Sequence, residues 1–333
     1  MRFITCASYY GTGSSAITDL IGECDNVLNM TDYEFRFIQD PDGIRDLEYN
    51  LVENNNRHNS GYAIKRYERN VKFLAGNKLI KKYNLYFGDN WVKLSREYVK
   101  ALIDVEYKGS WVQDLRDKGK IAYFLNRCVN KVVSKFNKEK SVALFLKNNT
   151  NYASYPGEKF YELTKKYIYD LFNSVNKDSK EIIMADQLVP PTNVDSYLRY
   201  FDDIKVVCVD RDPRDVFVLE KIWNGAIVPR KVDEFCKWYK ATRAHRKTEK
   251  NDETKVLRIR FEDLIYHYDE WSSKILDFCE ISKDHHTAPK TLLDPAKSIK
   301  NTRVWKRFPE YENDIKIIEQ ELSEYLYDYE GII

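Results

Sequence analysis

Short apolar runs mark the two ends of the chain, and a long polar stretch with helical spacing separates them. Phe3, Ile4 and Cys6, with β-branched Thr5 among them, predict a buried strand over Arg2–Ala7. It runs into Ser8-Tyr9-Tyr10-Gly11-Thr12-Gly13-Ser14-Ser15, after which Ile17, Leu20 and Ile21 recur at helical spacing. Asp25–Met30 reads as a second strand. Apolar runs at Glu181–Ala185, Ile204–Val209 and Lys255–Phe261 predict three more. Asp195–Phe201 is expected to be a brief helix. Pro213 and Asp215 open another, whose apolar face carries Val216, Leu219, Ile222 and Trp223. Strands joined by helices of this length imply a parallel sheet, so the expected fold class is α/β, a three-layer sandwich around that sheet.

From about residue 35 to 176 the spacing is helical and the composition shifts to tyrosine and asparagine. The stretch is read as a large helical insertion covering one edge of the sheet, within a single domain spanning residues 1–333. Helices are expected over Trp91–Asp104, Gly119–Phe136 and Pro156–Val175. The loop from Asn54 feeds a further helix on which His58, Tyr62, Lys65, Arg69 and Lys72 share one face. That face is either a solvated basic stripe or a surface for an anionic ligand or a sugar.

Composition narrows the partners. Basic and acidic residues number 54 and 52, so the net charge of +2 supplies no bulk attraction to nucleic acid, and any anion site must be local. The six cysteines are scattered with no C-x-x-C pair, which suggests buried thiols in a reducing compartment rather than a disulfide framework or a zinc site. No apolar run approaches the ~20 residues of a membrane span, and no signal peptide precedes the first strand. A cytoplasmic location is expected.

A strand, a loop with Gly11 and Gly13, and a helix opened by two serines is the layout of a phosphate cradle. The same residues also suit a tight turn with no ligand. The loop is not a Walker A loop, because Ser14 follows Gly13 where that motif has lysine. Ligands on parallel sheets bind outside the carboxyl ends of the strands. Three strands end there in polar residues: Ser8–Ser15, Asp186-Gln187, and Asp210-Arg211-Asp212-Pro213-Arg214.

With these residues in view the chain resembles the sulfotransferases that use 3′-phosphoadenosine 5′-phosphosulfate (PAPS), in their bacterial and carbohydrate-type branch. Tyr10, Gly11, Thr12, Gly13, Ser14 and Ser15 resemble the 5′-phosphosulfate loop of that family. Lys205–Val216 resembles its 3′-phosphate strand-turn-helix, in which the arginine matching Arg211 grips the 3′-phosphate. Val256–Leu264 resembles its strand ending in a Phe/Tyr-Glu-Asp-Leu turn, and Ser298–Asn301 with Trp305 its C-terminal adenosine and phosphate segment. The resemblance implies a P-loop-like sheet and PAPS as co-substrate. It further implies donor contacts from the loop, Arg211, Lys300 and Asn301, with Arg214 or Arg303 as further phosphate ligands, and no metal.

Two positions depart from the family pattern. Gly11 stands where a lysine or arginine is usual, and Arg57, His58, Lys65 and Arg66, brought over by folding, are the candidates to replace it. Leu219 stands where a serine usually contacts the 3′-phosphate. A general base must take the acceptor proton; Asp186 is the candidate and His58 the alternative, while His245, His267, His285 and His286 lie on segments that read as peripheral. The expected acceptor is a saccharide or glycolipid hydroxyl, favoured by the aromatic, amide-rich middle region with its basic face. A metabolite kinase on a P-loop sheet and a non-catalytic nucleotide-binding homologue are the rival readings, and a homodimer is left open.

Overall fold

The computed structural model describes residues 1–77, 80, 82–109, 111–137 and 149–331, and of Asp32 the backbone alone. The chain forms two compact units, Met1–Gln39 with Asn176–Ile333, and Asp40–Val175.

The first unit is built on five strands: β1 (Arg2–Ser8), β2 (Val27–Glu34), β3 (Ile182–Asp186), β4 (Ile204–Asp210) and β5 (Val256–Arg260). They pair side by side in the order β2-β3-β1-β4-β5, and every pairing is parallel. The α/β class with a central parallel sheet therefore holds. Because β1 is central, the loop that follows it is flanked by the ends of β3 and β4. Alternation sends β1 side chains to opposite faces. Ile4 and Cys6 join Ile17, Leu20 and Ile21 of α1 (Ser14–Gly22) in one fully buried cluster. Phe3 points the other way, its ring 5.3 Å from that of Phe201. A second cluster gathers α2 (Pro213–Trp223), α3 (Val232–Arg243) and the helix Glu312–Glu321 around Phe217, Phe235, Tyr239 and Ile318. A short helix, α4 (Phe261–Tyr266), follows β5 directly.

The sequence reading ended the second strand at Met30, but β2 continues to Glu34. An irregularity in its register with β3 between Met30 and Glu34 carries the chain past polar Thr31 and Asp32, which break the apolar run. Five cysteines are buried and Cys128 is exposed, all with free thiols. No helix among the described residues is long and apolar enough to cross a membrane.

The second unit packs the helices Ser60–Ala75, Asn90–Leu102 and Lys159–Asn173 on an aromatic core, with Tyr98 stacked on Tyr167 at 4.7 Å. It is not wholly helical. Val105–Gly109 and Asn149–Ala153 form an antiparallel pair that the sequence reading did not foresee; Val105 to Lys108 are all exposed, so no alternation announces a strand. The basic face resolves into internal ion pairs. Lys65 Nζ bonds to Asp114 and Asn151 at 2.7 Å each, Arg69 bonds to Asp117, and Tyr62 donates to Asp117 at 2.7 Å. Lys65 and Arg69 thus spend their charge on carboxylates of their own unit, and the face is no open anion surface. His58 precedes the helix, lies tilted against Trp111 with ring centroids 5.2 Å apart, and accepts from Arg57 Nε.

Candidate functional site

The residues that follow the five strands of the first unit line one cleft of about 720 Å³, within the ~300–1,000 Å³ usual for ligand pockets. Its floor is the loop Ser8–Ser15. Gly11 and Gly13 have φ of +73° and +93°, a region that disfavours side chains. A Cβ on Gly13 would also stand 2.6 Å from Cδ2 of Phe261. Thr12 is buried, with its hydroxyl 2.7 Å from the Tyr9 carbonyl and 3.0 Å from that of Val209. It fastens the loop to the end of β4. Gly13 holds the capping position of α1 with no side-chain cap, so the first N–H groups of that nine-residue helix are left for a ligand or water. Ser14 and Ser15 stand at that end and line the cleft, as do Tyr10, Gly11, Thr12 and Gly13.

The turn after β4 divides its charges. Asp210 is held by Arg243 through bonds of 2.8 and 3.0 Å and by Arg246 at 2.7 Å, and these guanidinium groups keep its carboxyl below the usual range against the cost of burial. Asp212 caps α2 by accepting from the Arg214 amide at 2.8 Å, with Pro213 in the first turn where its missing N–H costs nothing. Asp215 accepts from the amides of Arg303 (3.0 Å) and Val304 (2.6 Å), pinning the C-terminal segment. Arg214 pairs with Asp212 and Glu319 and lies 4.5 Å over the Trp305 ring. It does not line the cleft. Arg211 does: 4% exposed, it donates to the carbonyls of Gly11 (3.3 Å) and Asn301, lies 4.8 Å over the Phe261 ring, and leaves Nε without a partner. A buried arginine with a spare N–H facing a cleft suits an anion. Of the C-terminal candidates, Asn301 lines the cleft, whereas Lys300 does not and Arg303 packs on Tyr266 and Tyr329.

Asp186 ends β3 beneath Ser14. Burial, with Glu34 adding its negative charge, raises its carboxyl to about 7, against the pull of the Ser14 hydroxyl and the Gln187 amide. Its Oδ1 has no protein partner. A carboxyl raised this far is part-ionised near neutral pH; Asp186 is itself buried and not among the residues lining the cleft, which its neighbours Ser14 and Gln187 do line. His58 lies in the other unit.

Three groups of lining residues escaped the sequence reading. Glu34, Arg36 and Gln39 enter the cleft because β2 is longer than expected. His245, read as peripheral, lines it too, and Leu219, Trp223, Ile227, Val228 and Trp238 form an apolar wall. The Trp223 run was legible as the apolar face of α2, but its opening on the cleft was not.

The model of the "Sulfotransferase family" matches residues 128–285, taking in Asp186, the Arg211 turn and Phe261 but not the glycine loop. No curated protein matches the chain. Similar solved structures include the sulfotransferase domain of the Synechococcus PCC 7002 olefin synthase, with 12% identity, 91% of this chain and 87% of that one covered, and a TM-score of 0.41. The sulfotransferase domain from the curacin biosynthetic pathway has 13% identity, coverage of 98% and 99%, and a TM-score of 0.39. Retinol dehydratase in complex with androsterone and inactive cofactor PAP has 14% identity, coverage of 98% and 82%, and a TM-score of 0.36.

Proposed function

We propose, on the match of residues 128–285 to the sulfotransferase family model, that the chain moves a sulfuryl group from PAPS to a hydroxyl of a saccharide or glycolipid acceptor in the cytoplasm, with Asp186 as general base. The observation that carries the donor half is the pairing of the uncapped loop with Arg211 in one cleft. The 5′-phosphosulfate lies on the loop, where backbone N–H groups and the Ser14 and Ser15 hydroxyls meet its oxygens, and the 3′-phosphate meets Arg211. In the transfer, the acceptor oxygen bonds to sulfur as the bond from sulfur to the bridging oxygen breaks. The electron pair stays on the 5′-phosphate, and the acceptor proton passes to Asp186. The products are a sulfate ester and adenosine 3′,5′-bisphosphate (PAP).

The acceptor half rests on the cleft wall rather than on the paired basic face of the second unit. Trp223 is 67% exposed, and together with Trp238 it offers aromatic faces beside the polar edges of Thr192, Glu220 and Thr242. Flat aromatic surface bordered by hydrogen-bonding groups suits a sugar ring.

Calorimetry with PAP, followed by a screen of sugar, lipid and phenol acceptors with radiolabelled PAPS, tests the reading. Binding of PAP and labelling of a saccharide are expected; labelling of phenols alone would sink the acceptor half. For Trp223→Ala, kcat/KM for the labelled acceptor is expected to fall up to about tenfold, since aromatic stacking contributes ~0.5–1.5 kcal/mol, with PAP affinity unchanged. Retention of full kcat/KM would take the wall out of acceptor recognition.

A further inference from the structure

Sulfuryl transfer leaves an added negative charge on the 5′-phosphate oxygen released from sulfur, and a fixed cation beside that oxygen lowers the barrier. The glycine loop supplies none. From Ser8 to Gly22 there is no lysine or arginine.

Among the residues lining the cleft, the lysines and arginines number two, Arg211 and Arg36. They stand on opposite sides of the loop. Arg211 follows β4, on one flank of central β1, while Arg36 follows β2 and is held at the end of β3, on the other flank. Three bonds anchor the Arg36 segment there. The Phe35 amide donates to the Asp186 carbonyl at 2.9 Å, Gln39 Nε2 donates to the Gln187 carbonyl at 2.6 Å, and the Gln39 amide closes the turn on the Arg36 carbonyl at 3.0 Å. The Gln187 side chain in turn bonds to Ser8, the first residue of the loop. Arg36 is thereby tied, through backbone and amides, to the candidate base on one side and to the phosphate loop on the other. Its guanidinium lies 3.4 Å from a carboxylate oxygen of Glu34, and the side chain, 34% exposed, lines the cleft.

We propose that Arg36 is the cation that meets the leaving oxygen of the donor, in place of the basic residue that Gly11 does not provide. This rests on the sulfotransferase reading given above. As the bond from sulfur to the bridging oxygen breaks, the 5′-phosphate gains one negative charge; Arg36 neutralises it while Asp186 receives the acceptor proton. Arg211, at the far flank, keeps the 3′-phosphate.

The full chain carrying Arg36→Gln or Arg36→Lys tests this with two nucleotides as probes: PAP, which has the 5′-phosphate, and adenosine 3′-monophosphate, which lacks it. Calorimetry is expected to show PAP affinity falling about tenfold in Arg36→Gln, with adenosine 3′-monophosphate affinity unchanged. Conversion of radiolabelled PAPS to PAP, with water or a screened acceptor, is expected to fall about a hundredfold. Arg36→Lys should recover part of both. Equal losses for the two nucleotides, or wild-type PAP affinity and PAPS conversion in Arg36→Gln, would overturn the assignment and leave the donor reading intact. A wild-type chain that neither binds PAP nor consumes PAPS would remove the donor reading and Arg36 with it.

Discussion

Asp186→Asn is expected to lower turnover by ~10²–10⁴ while leaving PAP affinity nearly unchanged, and to make the folded protein more stable at alkaline pH. Both effects come from one buried carboxyl. Its pKa lies at about 7, above the ordinary 3.8, so only its ionised fraction acts as a base. In the wild type, kcat/KM should therefore fall tenfold per pH unit below about 7 and level off above it. The sign for stability runs the other way. A carboxyl raised in the folded state favours folding while it is protonated, and that contribution is lost as pH rises from its unfolded value through about 7. At pH 8 the ionised carboxylate costs at most about 4 kcal/mol, taking ~1.4 kcal/mol per unit of pKa. Asparagine removes that cost. Thermal unfolding should thus show a higher Tm for the variant at pH 8, a smaller gain at pH 5, and little difference only near the unfolded pKa. Burial also raises Glu262 to about 7 and Asp215 to about 6, and they keep a pH dependence of their own in the variant. Wild-type turnover in Asp186→Asn would take Asp186 out of the mechanism and bring Glu34, a carboxylate that lines the cleft, to the front.

Arg211→Ala is expected to weaken PAP binding ten- to a hundredfold and AMP binding much less. A hydrogen bond to a charged group contributes ~1.5–3 kcal/mol, and Arg211 has an Nε–H that no protein group uses. The arginine also bonds to the Gly11 carbonyl, so its removal has a second route to weaker binding, through a loosened loop. AMP separates the two. It uses the loop without a 3′-phosphate, so a loop effect lowers both affinities alike, and equal losses would refute the 3′-phosphate assignment.

The parts of this site legible in sequence are those where one short segment contains its own reason. The β1 strand, its glycines and α1 are contiguous, and the turn at Asp210–Asp215 announces itself by an apolar run meeting Pro213. Both Arg211 and Arg214 were offered there as phosphate ligands, Arg211 for the 3′-phosphate and Arg214 as a further contact. Only folding separates them, because Glu319, which completes the cage of Arg214, lies 105 residues away. Arg36 was hidden for the same reason. Its segment reaches the cleft through Gln39 and Gln187, 148 residues apart, and no local pattern reports which strand ends become neighbours. The basic stripe of the second unit failed differently: helical spacing located its cations correctly but said nothing of Asp114 and Asp117, which neutralise them.

The Phe261 ring packs so near Gly13 that no Cβ fits there, and the guanidinium of Arg211 lies 4.8 Å over the same ring. One ring therefore acts as a common abutment for both halves of the proposed donor site. A side chain gained at Gly13 would displace it and take away the surface on which Arg211 rests; a smaller residue in place of Phe261 would release the loop and the arginine together. Variation at these three positions is consequently not independent. Descendants of this chain can lose the donor site through a change at any one of them, but can reshape it only by changing them in concert.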